Sequence, residues 1–400
     1  MRAQFSQSQP TDRDPPAHVV ITGGDSWLNH GDNAILTGTL QMLSQELSHP
    51  TFTVLTDCPE RTKRSFPFVQ AQNRRDLLAV AKVMREADIV LWGGGHLIQN
   101  ISSQSFMLFQ LALVNLALAQ GVPVMAFALG AGDLQGSVWR RLTTATLNRL
   151  SAITVRDVTS REFLQRMAVE RPITVSADPA IVLRYDQSRP PQLQEKTDAP
   201  YAVIAPRRWF HYHHAFFPVK WQPALSRVAS PHFDTIIDGL AHTADWLVGT
   251  YGINIVLLPM YPGVEQGDEL VCQAIRNRMA NSSRAQITRI NYEAGSLLSI
   301  IGSAMVVLGV RLHSTILATC AGVPSVHLHY QQKGLGFFTQ IGLSEFCMAI
   351  DAVDWALLEA RLQQLIDQRQ FYHEHLIEKR DELTLAARES AGIVRRILAG

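Results

Sequence analysis

The feature that most constrains this chain is an alternation. Short apolar runs, each closed by glycine, proline or a charged residue, take turns with longer stretches of helical period. Residues 18–22, 51–56, 87–92, 124–129, 152–155 and 173–176 read as strands in the first half. Residues 201–206, 254–259, 285–290 and the runs before Arg311 and after Pro324 do so in the second. Between them the period changes to that of a helix, as in 74–86, where Leu77, Leu78, Val80, Ala81 and Met84 share one face. The other helical stretches are 34–47, 104–120, 138–150, 161–167, 232–251, 265–279, 293–301, 353–370 and 373–398. Strands that are apolar throughout and linked by helices belong to parallel sheets covered on both faces.

The stretch 184–200, RYDQSRPPQLQEKTDAP, is polar, holds three prolines and divides the alternation in two. The expected architecture is therefore α/β, with two Rossmann-like domains and a cleft between them. The first spans 18–184, a linker 185–200, and the second 201–400, whose terminal helices have the length to pack back on the first. Residues 1–17 are polar and proline-containing, and are expected to be disordered. They lack the apolar core of a signal peptide. The longest apolar run, 107–119, is interrupted by Gln110 and Asn115 and is too short to span a bilayer, which takes roughly 20 apolar residues. The expected location is cytoplasmic.

Composition excludes several classes. Lys plus Arg is 36 against Asp plus Glu at 35, so no global field draws in nucleic acid, and any anion site is local. The four cysteines are far apart and form no CxxC, against a zinc site or a disulfide framework. His211, His213 and His214 match no standard metal spacing, and no metal or cofactor is expected.

In open α/β sheets ligands bind beyond the carboxyl ends of the strands. On the first domain those ends carry Asp25, Asn33, Gly93-Gly94-Gly95-His96, Gly130-Ala131-Gly132, Arg156 and Asp178. On the second they carry Arg207, Arg208, Tyr261, Arg311, His313 and Lys333. Asp32 or Asn33 suits a helix N-cap. The triple glycine is either a tight strand-to-helix turn or a backbone cradle for an anion. Each arginine has an ordinary use, an ion pair or a carbonyl cap, beside its use as a fork for carboxylate or phosphate oxygens. One of Arg207 and Arg208 faces the cleft. His313, at a strand-to-helix junction with Arg311, suits proton transfer near neutral pH. Lys333 lies in a glycine-flanked loop and could contact phosphate. The aromatic stretch 209–231 reads as a long functional loop or short helices.

The ordered set Gly31-Asp32-Asn33-Ala34, Gly93-Gly94-Gly95, Val155-Arg156-Asp157 with Ser160, Asp178-Pro179-Ala180, Arg311-Leu312-His313, Gly322-Val323-Pro324 and Tyr330-Gln331-Gln332-Lys333 resembles the polysaccharide pyruvyl transferases over about residues 18–345. That resemblance implies a two-domain fold like the GT-B glycosyltransferases. It implies transfer of a pyruvyl group from phosphoenolpyruvate to a sugar as a cyclic ketal, with Arg156, His313 and Lys333 at the family's active positions. The catalytic residue would be His313. Arg156, Arg207, Arg208, Arg311, Lys333, Gly94, Gly95, Asn33 and Asp178 would bind substrate, Asp178 orienting a sugar hydroxyl or holding an arginine. The acceptor would be a sugar on a lipid or nucleotide carrier, and a lipid carrier would bring the protein to the inner membrane face. The residues alone leave two other readings: a glycosyltransferase of the same architecture using a nucleotide sugar, and a sugar-binding protein without turnover.

Overall fold

The computed structural model describes residues 16–23, 29–101, 103–195, 199–207, 233–261, 267–288, 293–330 and 333–400. The first half alternates β1 (His18–Gly23), α1 (His30–Glu46), β2 (Thr51–Thr56), α2 (Pro59–Ser65), β3 (Gln70–Asn73), α3 (Leu77–Arg85), β4 (Ile89–Ile98), α4 (Gln104–Ala119), β5 (Val124–Ala131), α5 (Ser137–Leu147), β6 (Ala152–Val155), α6 (Val158–Arg166) and β7 (Ile173–Val175). A 3-10 turn over Pro179–Val182 ends it. The second half contains β8 (Tyr201–Ala205), α7 (Phe233–Tyr251), β9 (Asn254–Leu257), α8 (Asp268–Arg278), β10 (Ala285–Ile287), α9 (Ala294–Gly302), β11 (Val307–Gly309), α10 (Leu312–Ala321), β12 (Ser325–His329), α11 (Lys333–Gln340), β13 (Cys347–Ala349), α12 (Trp355–Asp367) and α13 (Arg369–Ala399).

The strands form two sheets, parallel at every described pairing. The seven-stranded sheet runs β3-β2-β1-β4-β5-β6-β7 and the six-stranded one β10-β9-β8-β11-β12-β13. Each reverses its order once, at β1/β4 and at β8/β11. The expected α/β class with two Rossmann-like sheets is what the chain adopts. Helices α3 to α6 cover one face of the first sheet over a core built from Val80, Met84, Met107, Leu111, Leu147 and Leu164. The opposite face belongs to a second core that continues through α1, the 3-10 turn and α10 into the six-stranded sheet. The two sheets are thus joined by continuous apolar packing.

Three elements bring the sheets into register. The N–H of His30 donates to the Met260 carbonyl at 3.0 Å, tying α1 to the end of β9. The Cys320 thiol of α10 donates to the Ala180 carbonyl at 3.3 Å. Helix α13, 31 residues long, returns to the first sheet. There the Ser390 hydroxyl reaches Ser176 Oγ at 2.8 Å and Thr154 Oγ1 at 3.1 Å, and Thr384 bonds the Ile181 carbonyl.

Several local expectations change. The triple glycine is not a turn into a helix: β4 runs through it to Ile98, and α4 starts later, capped by Ser103 Oγ on the Phe106 N–H. Gly130 and Ala131 likewise lie inside β5. Lys333 and its neighbouring glycines open α11 instead of forming a loop. Asp32 and Asn33 are not N-caps. Asn29 holds that place, its Oδ1 accepting from the Gly31 N–H at 3.0 Å. Asp25, Arg208, the aromatic stretch and its three histidines lie outside the described residues, as does the side chain of Lys333. Among the described residues no helix is long and apolar enough to cross a membrane.

Candidate active site

The two points of strand reversal face one another, and a cavity of about 230 Å³ lies between them. Its first wall is the start of α1 and the later part of β4: Asn29, Asp32, Gly94, Gly95 and His96. Gly94 and Gly95 have φ of 85° and 106°, a left-handed range that side chains resist. They therefore let β4 turn its bare backbone toward the cavity. The second wall follows β8 and β11, adjacent strands paired at Ala205 and Gly309, and brings Arg207, Arg311 and His313 to the same space. Arg156, leaving β6, completes it, with Phe106, Met260 and Tyr330 as apolar lining.

Helix α10 explains how His313 gets there. Nine of its ten residues are buried, as expected of a helix apolar on all sides within a core. The exception, His313, stands at the first turn on the cavity edge with a side chain 16% exposed. Gly31 of α1 lies against the imidazole so closely that a Cβ there would overlap it. His313 Nε2 is 3.5 Å from Asp178 Oδ2. The same oxygen accepts from Arg156 Nη1 at 3.1 Å. Burial alone would raise the Asp178 carboxyl. The His313 imidazole, the Arg156 guanidinium and the Ala180 N–H outweigh it and hold the pKa at about 2. Asp178 therefore sits behind the lining. Of its two expected uses, the contact with Arg156 is the one on view.

Arg156 is 4% exposed. Its Nε lies 3.5 Å from Asp157 Oδ2, and the Gln340 amide anchors its carbonyl at 2.9 Å. Its Nη2 is buried with no hydrogen-bond partner among the described residues. A buried guanidinium nitrogen left so is costly unless an acceptor arrives, and this residue lines the cavity. Arg311 is gripped from behind: Nε and Nη2 each donate to Asp268 at 2.8 Å. Asp268 is fully buried and also accepts the Tyr261 N–H at 2.9 Å. The Arg207 guanidinium lies 4.2 Å from the centroid of the Tyr330 ring, within cation–π range. His30, under Arg311, has its pKa pushed down to about 4, by burial first and that arginine second.

Of the expected site residues, the structure gathers His313, Arg156, Arg207, Arg311, Gly94 and Gly95 around one cavity, with Asp178 behind them. Asn33 does not join them. Because α1 starts at His30, the helical period turns Asn29 and Asp32 to the cavity and Asn33 away, where its Oδ1 accepts from the Thr37 hydroxyl at 3.4 Å. A second cavity of about 210 Å³ lies across His96, lined by Gly132, Asp133, Thr159, Phe163 and Arg166 among others. His327, buried, bonds the Gly309 carbonyl at 2.8 Å and stacks on Phe338, a structural use. Among the described residues no three His, Cys, Asp or Glu side chains converge as metal ligands.

Two parallel sheets meeting across a cavity define an α/β protein of the GT-B-like class, and solved structures agree. A UDP-GlcNAc 2-epimerase from Neisseria meningitidis superposes with a TM-score of 0.57 at 11% identity, covering 96% of this chain and 99% of that one. The glycosyltransferase of kitacinnamycin gives 0.53 at 11% identity, with coverages of 96% and 100%. Within that class the sequence is more specific. The model of the polysaccharide pyruvyl transferase family matches residues 29–332, and the chain belongs to that family, which makes it a transferase of polysaccharide biosynthesis. The amylovoran biosynthesis protein AmsJ of Erwinia amylovora is 19% identical over 400 residues, covering 87% of this chain and 92% of the relative.

Proposed function

We propose that the protein transfers the pyruvyl group of phosphoenolpyruvate to two hydroxyls of one sugar, forming a cyclic ketal and releasing phosphate. The observation that carries this reading is the buried Nη2 of Arg156, without a partner among the described residues, at a cavity shared with Arg207, Arg311 and His313. A small donor bearing both carboxylate and phosphate needs several convergent forks, and guanidinium groups suit both.

The chemistry follows from the residues. His313 delivers a proton to the donor's methylene carbon, making C2 electrophilic, and the first sugar hydroxyl adds there as its proton leaves. The second hydroxyl then attacks C2 as the C–O bond to phosphate breaks. Of the two hydroxyl protons, one replaces that spent on the methyl group and the other departs with phosphate, so nothing is oxidised or reduced. The imidazole serves as acid and then base, with the Asp178 carboxylate 3.5 Å behind it. The arginines stabilise charge as phosphate departs. We assign the acceptor to the second cavity, where Phe163 offers a ring face and Asp133 and Thr159 offer polar groups beside His96.

Incubation with phosphoenolpyruvate and a panel of sugars should release phosphate and add one pyruvyl ketal, read by mass. Thermal stabilisation by nucleotide sugars but not by phosphoenolpyruvate would favour glycosyl transfer instead. His313→Ala should lower kcat by roughly 10²–10⁴-fold while donor binding, followed by thermal shift, persists. Near-normal turnover in that variant would refute the histidine's role.

A further inference from the structure

Helices α3, α4 and α5 lie side by side on one face of the seven-stranded sheet. Each follows the carboxyl end of a parallel strand, so all three begin at the same edge, the one that holds the cavity. The large apolar side chains these helices leave exposed sit in their first two turns. Leu77 and Leu78 open α3, Leu108 lies in the second turn of α4, and Val138 and Leu142 lie in the first two turns of α5. Leu78 is 87% exposed and Val138 65%. Between them α4 runs for 16 residues without a charge. The charged groups exposed near these turns are Lys82, Arg140 and Arg141, with Arg75, which pairs with Asp57 at 3.1 Å, against Asp76, whose carboxylate caps α3 on the Ala79 N–H.

A stripe of leucine and valine flanked by arginine and lysine has the chemistry of a membrane interface. Apolar side chains enter the headgroup boundary, and nearby basic residues are drawn to an anionic leaflet. The same sheet edge holds the cavity, which Phe106 in the first turn of α4 helps to line. We propose that this rim docks on an anionic phospholipid bilayer, so that a sugar anchored in that bilayer meets the cavity mouth. The purpose given to docking rests on the transfer reading above; docking itself does not.

The test is sedimentation of the full chain with vesicles of phosphatidylcholine alone and of phosphatidylcholine mixed with phosphatidylglycerol. Binding is expected to the anionic vesicles only and to weaken with salt. The double variants Leu78→Glu with Val138→Glu, and Arg140→Glu with Arg141→Glu, should each cut binding about tenfold or more. Both should keep the wild-type melting curve and the wild-type rate on a soluble acceptor. Absence of wild-type binding to anionic vesicles, or full binding by either variant, would overturn the proposal. So would a wild-type dimer that Leu78→Glu with Val138→Glu converts to monomer, since the rim would then belong to a second copy. Failure of the wild type to turn over any acceptor would refute the transfer reading and leave the vesicle result standing.

Discussion

Arg311 can act on a substrate only if its guanidinium is held, and Asp268 holds it through two bonds of 2.8 Å. Asp268 touches the arginine from the far side, so it is a positioning residue. Replacing it with asparagine removes two charge-assisted bonds, each worth about 1.5–3 kcal/mol at full strength. The expected result for Asp268→Asn is a donor KM raised roughly 10–100-fold, with the acceptor KM unchanged. Equal rises in both constants would mean that the acid merely supports the fold. Arg156, Arg311 and His313 were legible as site residues because each directly follows an apolar run, and a residue just past a parallel strand has few places to go. Asp268 was not, since an acid at a helix start usually serves the helix dipole in water. Only the tertiary fold turns Arg311 onto it. Asn29 and Asp32 were missed because α1 begins about a turn before its apolar period, which makes Asn29 the cap and puts Asp32 inside the first turn.

At the scale of elements, α1 is the hinge-pin of the site. Its first turn presents Asn29 and Asp32 to the cavity, lays Gly31 on His313 and buries His30 against the second half. Because the His30 pKa falls from 6.5 to about 4 on folding, the unfolded chain takes up a proton between those values while the native chain does not. Stability is therefore full above about pH 6.5 and declines as the pH drops toward 4, with this one group contributing up to about 3 kcal/mol. Urea midpoints measured from pH 7 to 4.5 should fall more steeply in the wild type than in His30→Asn, and parallel curves would rule the histidine out. Most elements were visible as apolar runs and helical periods. The exceptions have physical reasons. Strand β3, sequence QAQN, is an edge strand with no fully buried residue and thus no apolar signal. Helix α2, PERTKRS, buries only Thr62. The glycines of β4 read as a turn because nothing local distinguishes a glycine that ends a strand from one that bends it.

For the whole molecule, the continuous apolar core and α13 make the two sheets one packed body. Removing residues 381–400 would strip the Thr384 and Ser390 bonds and the Arg395–Glu46 ion pair and uncover the core positions Ala387, Ala391 and Val394. Such a chain should melt well below the full one or lose its cooperative transition; a melting curve like the full chain's would show that α13 is dispensable. The two-sheet plan was readable from the alternation, and so was the length that lets the terminal helices reach back; the surface α13 covers was not, because a long amphipathic helix carries no address for it.

That helix also sets a timetable. Ser390 stands 214 residues downstream of Ser176 and 236 downstream of Thr154, the two hydroxyls it bonds. At a synthesis rate of about 5–20 residues per second, the first sheet emerges roughly ten to forty seconds before its covering helix exists. Through that interval the patch that Ala387, Ala391 and Val394 will bury has only α1 and the 3-10 turn beside it, and such transiently exposed apolar surface is where a chain still being made is most prone to aggregate.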